Sequence, residues 1–139
     1  MSEKKLNLTI ITPQKIILEN KKVDSVTLPA WEGEMCVLYN HIPYMGQLRE
    51  GILKYRDGEI EDYFSIFWGF FEVFNNNIII LAEDANLGKE IDEERIRQEY
   101  QNIKNSLLSV DKKTAEDLEI QLKKIIVNLK LSKITKKKK

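Results

Sequence analysis

The chain has 139 residues, with 22 basic and 22 acidic side chains, 42% hydrophobic residues and a formal net charge of zero, the profile of an ordinary globular protein with one core and room for an appendage. Its longest mostly apolar run, Ile66 to Phe74, is interrupted by Gly69 and Glu72 and falls well short of the roughly 18 to 20 residues that span a bilayer. One cysteine, Cys36, and one histidine, His41, exclude an internal disulfide and the usual Cys/His metal sites, so no metal is expected.

The opening M-S-E-K-K-L-N-L-T-I lacks a continuous apolar segment and a small-residue cleavage site, so no secretory signal is expected. In L-N-L-T-I-I, Leu6, Leu8 and Ile10 alternate with polar residues at the period that gives a strand one buried face, and Pro13 stops it. Further short runs rich in β-branched and aromatic residues follow at Lys15–Leu18, Val23–Leu28, Met35–Tyr39, Ile52–Arg56, Asp62–Phe67, Phe70–Phe74 and Ile78–Ala82. Asp57-Gly58 between two such runs is a strong hairpin signal, and Asn75-Asn76-Asn77 is a weaker one. Short strands joined by tight turns predict an N-terminal antiparallel β-sandwich, or flattened barrel, over residues 1–86.

After Gly88 there is no further Gly or Pro, and the apolar spacing becomes helical. Ile96, Tyr100, Ile103 and Leu107 form one stripe of a helix predicted from Asp92 to Leu108, with Asp92 as its cap and Glu93 and Glu94 in its first turn. Ala115, Leu118, Leu122, Ile125, Ile126 and Leu129 form the stripe of a second helix, Lys112 to Ile134. The short connection predicts a C-terminal antiparallel two-helix hairpin over residues 87–139, its stripes facing each other. Such a hairpin has little core of its own. It must lean on the sandwich or on another protein to offset about 1 to 2 kcal/mol of backbone entropy per ordered residue.

The neutral total conceals an asymmetry. Residues 1–88 carry 8 basic and 13 acidic groups, net −5, and residues 89–139 carry 14 basic and 9 acidic groups, net +5. The terminal K-I-T-K-K-K-K concentrates that charge, either as a solvated tail or as a ligand for an acidic protein surface. No arginine lies beyond Arg97, so nucleic acid is not an expected partner. There is no phosphate loop, dinucleotide fingerprint or nucleophile elbow, and hence no expected catalytic residue or cofactor. Glu32, Glu34 and His41 lie within ten residues and read as a polar loop patch at one end of the sandwich, stiffened by Ile42-Pro43, rather than as an acid/base group.

The order of elements and several segments resemble the epsilon subunit of the F-type ATP synthase over essentially the whole chain. The segments are L-N-L-T-I-I-T-P, E-G-E-M-C-V-L-Y-N-H-I-P at Glu32–Pro43, G-F-F-E-V at Gly69–Val73, I-I-I-L-A-E-D-A at Ile78–Ala85, I-D-E-E-R at Ile91–Arg95 and the ending L-K-L-S-K-I-T-K-K. The combination is specific where no single piece is. The chain departs from the family pattern at Phe67-Trp68, where small residues are usual, and at Cys36, where glycine is usual.

The resemblance implies a non-catalytic coupling and regulatory subunit whose sandwich binds the gamma subunit and the c-ring, with Glu34 and His41 matching positions that face the c-ring. It implies membrane contact only through the complex, at the cytoplasmic face of a bacterial membrane, or at an organelle inner or thylakoid membrane. It also implies that the hairpin can extend into the catalytic head, where lysines such as Lys123, Lys124, Lys130, Lys133 and Lys136 meet acidic segments of the beta (and alpha) subunits and block hydrolysis. Some members bind ATP through an I-D-x-x-R-A segment and arginines on both helices. Ile91, Asp92 and Arg95 match it, but Ile96 replaces the small residue and helix two has no arginine, so only a remnant without tight ATP binding is expected. The rival readings from the residues alone are a free-standing protein-interaction module and a small nucleic-acid-binding domain.

Overall fold

The computed structural model describes residues 4–108 and 111–137, with side chains described as far as residue 135. Eight strands precede two helices: β1 Leu6–Ile11, β2 Ile16–Val23, β3 Ser25–Ala30, β4 Gly33–Leu38, β5 Tyr44–Leu48, β6 Gly51–Asp57, β7 Ile60–Phe74 and β8 Asn77–Leu87. A 3-10 turn, Gly88–Glu90, leads into α1, Glu93–Ser106, and α2, Lys112–Lys137. The hydrogen-bonded order is β2-β1-β8-β7-β5-β3-β4, with β6 pairing both β3 and β7, so one sheet folds over on itself as a flattened barrel. The pairing is antiparallel except between β1 and β8, which run parallel with Asn7 beside Asn77 and Ile11 beside Leu81.

The expected turns form as their residues require. Asp57 pairs with Ile60 across a two-residue connection in which Gly58 takes φ 63°. Phe74 pairs with Asn77, and the two residues between them, Asn75 (φ 51°) and Asn76 (φ 63°), both adopt the left-handed conformation that a two-residue hairpin of matching twist demands. Leu6, Leu8 and Ile10 are fully buried in a core shared with Val26, Leu28, Leu53, Ile66 and Ile80, among others.

Two strand expectations are corrected. The runs Asp62–Phe67 and Phe70–Phe74 belong to one strand, β7, of 15 residues. Gly69 does not end it. Phe64 and Ile66 face the core before Trp68-Gly69, and Phe71 and Val73 face it after, so the inward side changes from even to odd positions. Trp68 (φ 42°) and Gly69 (φ 145°) make that change, and β8 makes it alongside, with Ile78, Ile80 and Ala82 inward and then Ala85. The pair stays in register, Phe67 beside Asp84 and Gly69 beside Ala82, and bends as a unit around the barrel. The second correction is β5, a short strand in a segment that carries no strand expectation. It pairs with β7 and reaches β3 through Ala30 and Leu48.

Asp92 caps α1 as expected, its carboxylate accepting from the N–H groups of Glu94 at 3.1 Å and Arg95 at 3.4 Å. Asp111 does the same for α2, accepting from Thr114 N at 2.8 Å. No residue of α1 is buried. The helices pack on each other, and α2 also packs on β7, β6 and the 3-10 turn. The second-helix stripe therefore needs correcting: Ile126 is 49% exposed, whereas Val127 and Leu131, outside that stripe, are buried. Two stripes run along α2. One, through Leu118, Leu122, Ile125 and Leu129, follows the heptad spacing; the other, through Val127, Leu131 and Thr135, lies against the sandwich, where Leu131 and Thr135 meet Gly88.

Candidate interaction surfaces

The docking of α2 explains an outward-facing aromatic. Phe67 points away from the core yet is fully buried, because α2 covers it and places the Lys124 ammonium 5.5 Å from its ring centroid. The same ammonium lies 3.8 Å from Asp84, the cross-strand neighbour of Phe67. Gly88 completes the contact: a Cβ there would collide with the Thr135 hydroxyl and lie 3.1 Å from Leu131 Cδ1 and from the Tyr63 carbonyl. Lys89, in the 3-10 turn, pairs with Asp62 at 2.9 Å, and Tyr55 donates to the same carboxylate at 2.6 Å. Burial opposes ionisation of Asp62, but the Tyr55 hydroxyl and then Lys89 outweigh it and hold the carboxyl below its ordinary range. Burial, and then that hydrogen bond to Asp62, push the Tyr55 hydroxyl well up.

Of the five lysines assigned to an inhibitory element, Lys123, Lys130 and Lys133 are exposed on α2. Lys124 is instead committed to Asp84 and Phe67 in this conformation. The side chain of Lys136, like residues 138–139 of the tail, lies outside the described residues.

The nucleotide-segment matches do not converge. Asp92 is the α1 cap, and Arg95 is an exposed partner of Glu99 at 3.5 Å, one turn along the helix. A cleft between the two helices is lined by Asp84, Glu99, Asn102, Gln121, Lys124 and Asn128, with neighbouring Ile103 and Ile125, but by none of Ile91, Asp92 and Arg95. Lys124 is its one cation beside two carboxylates, a poor cradle for a triphosphate.

The reading of Glu32, Glu34 and His41 as one loop patch is corrected. Glu34 is on β4, and His41 follows the far end of that strand, with about 13 Å of extended chain between Glu34 and Leu38. His41 N donates to Leu38 O at 3.1 Å, its Nδ1 lies 2.7 Å from Ile42 O, and the Asn40 amide donates to the Asn76 side chain at 2.7 Å, tying the loop to the β7–β8 turn. What the two residues share is an edge. β4 is the last strand of the sheet, and its outward side presents Glu34, Cys36 and Leu38, the last 55% exposed. The opposite edge, β2, carries Lys21 and Lys22, the usual protection of a free edge, whereas β4 has no lysine. An edge strand without lysine, presenting Glu34 beside Cys36 and Leu38, is a docking feature that residue-by-residue sequence reading misses. The alternation E-M-C-V-L was its available signal. Among the described residues no helix is long and apolar enough to cross a membrane, and no group of side chains could hold a metal.

Comparison with known proteins agrees with this geometry. The family described as ATP synthase, Delta/Epsilon chain, beta-sandwich domain matches residues 5–88. The chain is 42% identical to an ATP synthase epsilon chain of Nitratidesulfovibrio vulgaris over 96 residues, 69% of this chain and 71% of that one. It is 37% identical to the epsilon chain of Elusimicrobium minutum over 108 residues, 78% and 80% of the two chains. Among solved structures, a chain of the Euglena gracilis mitochondrial ATP synthase superposes with a TM-score of 0.77 at 28% identity, covering 90% of this chain and 79% of that one. A chain of the Tetrahymena thermophila mitochondrial ATP synthase central stalk and c-ring shares the fold, with a TM-score of 0.63 at 19% identity, covering 95% and 99%. A barrel closed by a kinked hairpin, a helical hairpin docked on its outer face through α2 and these relatives give one conclusion: the chain belongs to the ATP synthase epsilon-chain family.

Proposed function

We propose that this subunit couples rotation to the catalytic head through its sandwich, residues 1–86, and restrains ATP hydrolysis through its helical hairpin, residues 87–139. In this reading the sandwich binds the gamma subunit and the c-ring at the cytoplasmic face of a bacterial membrane, and meets the membrane only through the complex. Glu34 and His41 stand on and beyond the open edge β4 and contact the c-ring, a role that fits exposed polar groups on a rigid scaffold.

The observation that carries the regulatory half is the thinness of the hairpin's attachment. No residue of α1 is buried, and α2 rests on the sandwich through a short apolar stripe, a partly exposed lysine and a glycine contact. Release exposes that stripe and the Phe67 ring but leaves the sheet's own core covered, so the hairpin can open without unfolding the sandwich. Once released, Lys124 joins Lys123, Lys130, Lys133 and Lys136 in a concentration of positive charge around α2 suited to acidic segments of the beta and alpha subunits.

The coupling half is tested with the reconstituted motor in membrane vesicles. Glu34→Ala together with His41→Ala is expected to lower ATP-driven ion pumping severalfold while gamma still co-purifies with the subunit. Unchanged pumping would remove the two residues from the c-ring contact.

A further inference from the structure

Beside the unprotected edge, the β3–β4 turn and β5 enclose a cleft of about 150 Å³ that the assembly reading does not use. Two backbone bonds fix its walls: Trp31 N donates to Gln47 O at 2.8 Å, and Arg49 N donates to Pro29 O at 2.9 Å. The cleft is lined by Trp31 and Glu32 of the turn, Tyr44 and Gly46 of β5 and Phe71 of β7, with Ala30 and Gln47 beside them. Phe71, 2% exposed, is the floor, and Tyr44 stacks on it with ring centroids 5.7 Å apart. Trp31 and Tyr44 are 53% and 43% exposed, large aromatic faces turned partly to solvent. Gly46 lies directly across the ladder from Phe71. A Cβ there would stand 2.9 Å from Phe71 Cε1 and 3.0 Å from Tyr44 Cε1, so glycine lets both rings lie directly against the β5 backbone at the base of the cleft.

Three aromatic rings with one carboxylate at the rim select for positive charge carried on an apolar or planar group, because the ring faces are negative and Glu32 supplies the counter-charge. An anion would be repelled by the exposed Glu32 carboxylate, and a neutral apolar group would gain nothing from it. Trp31 already accepts such a partner within the chain, with the Arg49 guanidinium 5.3 Å from its ring centroid. The segment of residues 1–88 has a net charge of −5, which favours approach of a cationic surface.

We infer that this cleft receives an arginine or lysine side chain presented by a partner protein, as an anchor pocket for one cationic residue. The volume suits a single side-chain tip, and an aromatic pocket bordered by exposed apolar surface is how protein interfaces hold their anchor residues. The inference goes beyond the coupling and braking roles and does not depend on which subunit supplies the residue.

The test is an NMR titration of the full-length isotope-labelled chain with N-acetyl-arginine amide and, separately, its neutral isostere N-acetyl-citrulline amide. Saturable shifts are expected at the Trp31 indole N–H and the Gly46 amide, with the Trp68 indole as internal control. Binding should weaken at least about fivefold with the citrulline probe and in Glu32→Gln, and vanish in Trp31→Ala. No saturable shift up to about 100 mM arginine probe, a scale set by the weakness of single exposed cation–π contacts, would overturn the inference. Equal shifts from the two probes would overturn the charge selection on which it rests. Phosphatidylcholine vesicles that displace the arginine probe would assign the slot to a lipid headgroup and overturn the protein partner. Because the isolated chain is used, failure here leaves the assembly reading untouched.

Discussion

Gly69 is the residue on which the barrel turns. Its φ of 145° belongs to glycine, and a Cβ would collide with the Leu81 carbonyl across the β7–β8 ladder. Gly69→Ala is therefore expected to destabilise the chain by about 3 kcal/mol or more, measured by urea unfolding. Polar residues at the end of the barrel are tied just as specifically. The Lys5 ammonium lies 2.6 Å from Asp24 and 2.9 Å from Asp57, and Gly58 N donates to Asp24 at 2.6 Å, joining the first strand to two turns. Lys5, and then the Gly58 amide, hold the Asp24 carboxyl below its ordinary value of 3.8. A carboxyl depressed in the folded state adds stability above its unfolded value and loses that contribution as pH falls through the folded one. Asp24→Asn should accordingly lower the melting temperature at pH 7, and the gap from the parent chain should close progressively below about pH 3.8. A constant gap across that range would show that the pair acts through packing rather than charge.

At the level of elements, α2 holds the hairpin down, and its two stripes are energetically distinct. Leu131 is fully buried against the sandwich, so Leu131→Ala should cost about 2 to 5 kcal/mol of hairpin attachment. Ile126, 49% exposed, should tolerate alanine within about 0.5 kcal/mol. Phe67→Ser removes the aromatic beneath Lys124 and should abolish hydrogen-exchange protection in α1 and α2 while β1, β7 and β8 remain protected. Equal loss throughout would make the sheet and hairpin one cooperative unit. Much of this level was legible in the residues. Alternation placed β1, Gly58 and the Asn75–Asn76 pair placed two hairpins, and Asp92 placed the start of α1, because each is a local demand that a residue type answers. The rest depends on partners distant in the chain. Tyr44–Leu48 becomes a strand only because β7 offers it an edge, with four of its five residues other than fully buried. A heptad count puts Ile126 beside the seam and Val127 on the opposite face, and only the sandwich explains why Val127 is the one covered. Glu34 and His41 are close in sequence and separated by an extended strand, so proximity along the chain misplaced them as one patch.

For the whole molecule, the architecture divides a firm part from a lightly held one. The barrel closes on a core of buried aliphatic and aromatic side chains, while no residue of α1 is buried and α2 packs on the outside of the sheet. This contrast, together with the excess of lysine on the hairpin side, is what makes a detachable brake the function that the structure supports best. The most direct test compares ATP hydrolysis by the reconstituted catalytic head carrying the full-length subunit with hydrolysis by the head carrying a chain that ends at Gly88. The account predicts severalfold faster hydrolysis with the shortened chain while gamma remains bound. Equal rates with gamma bound would contradict it, leaving the hairpin without an inhibitory role.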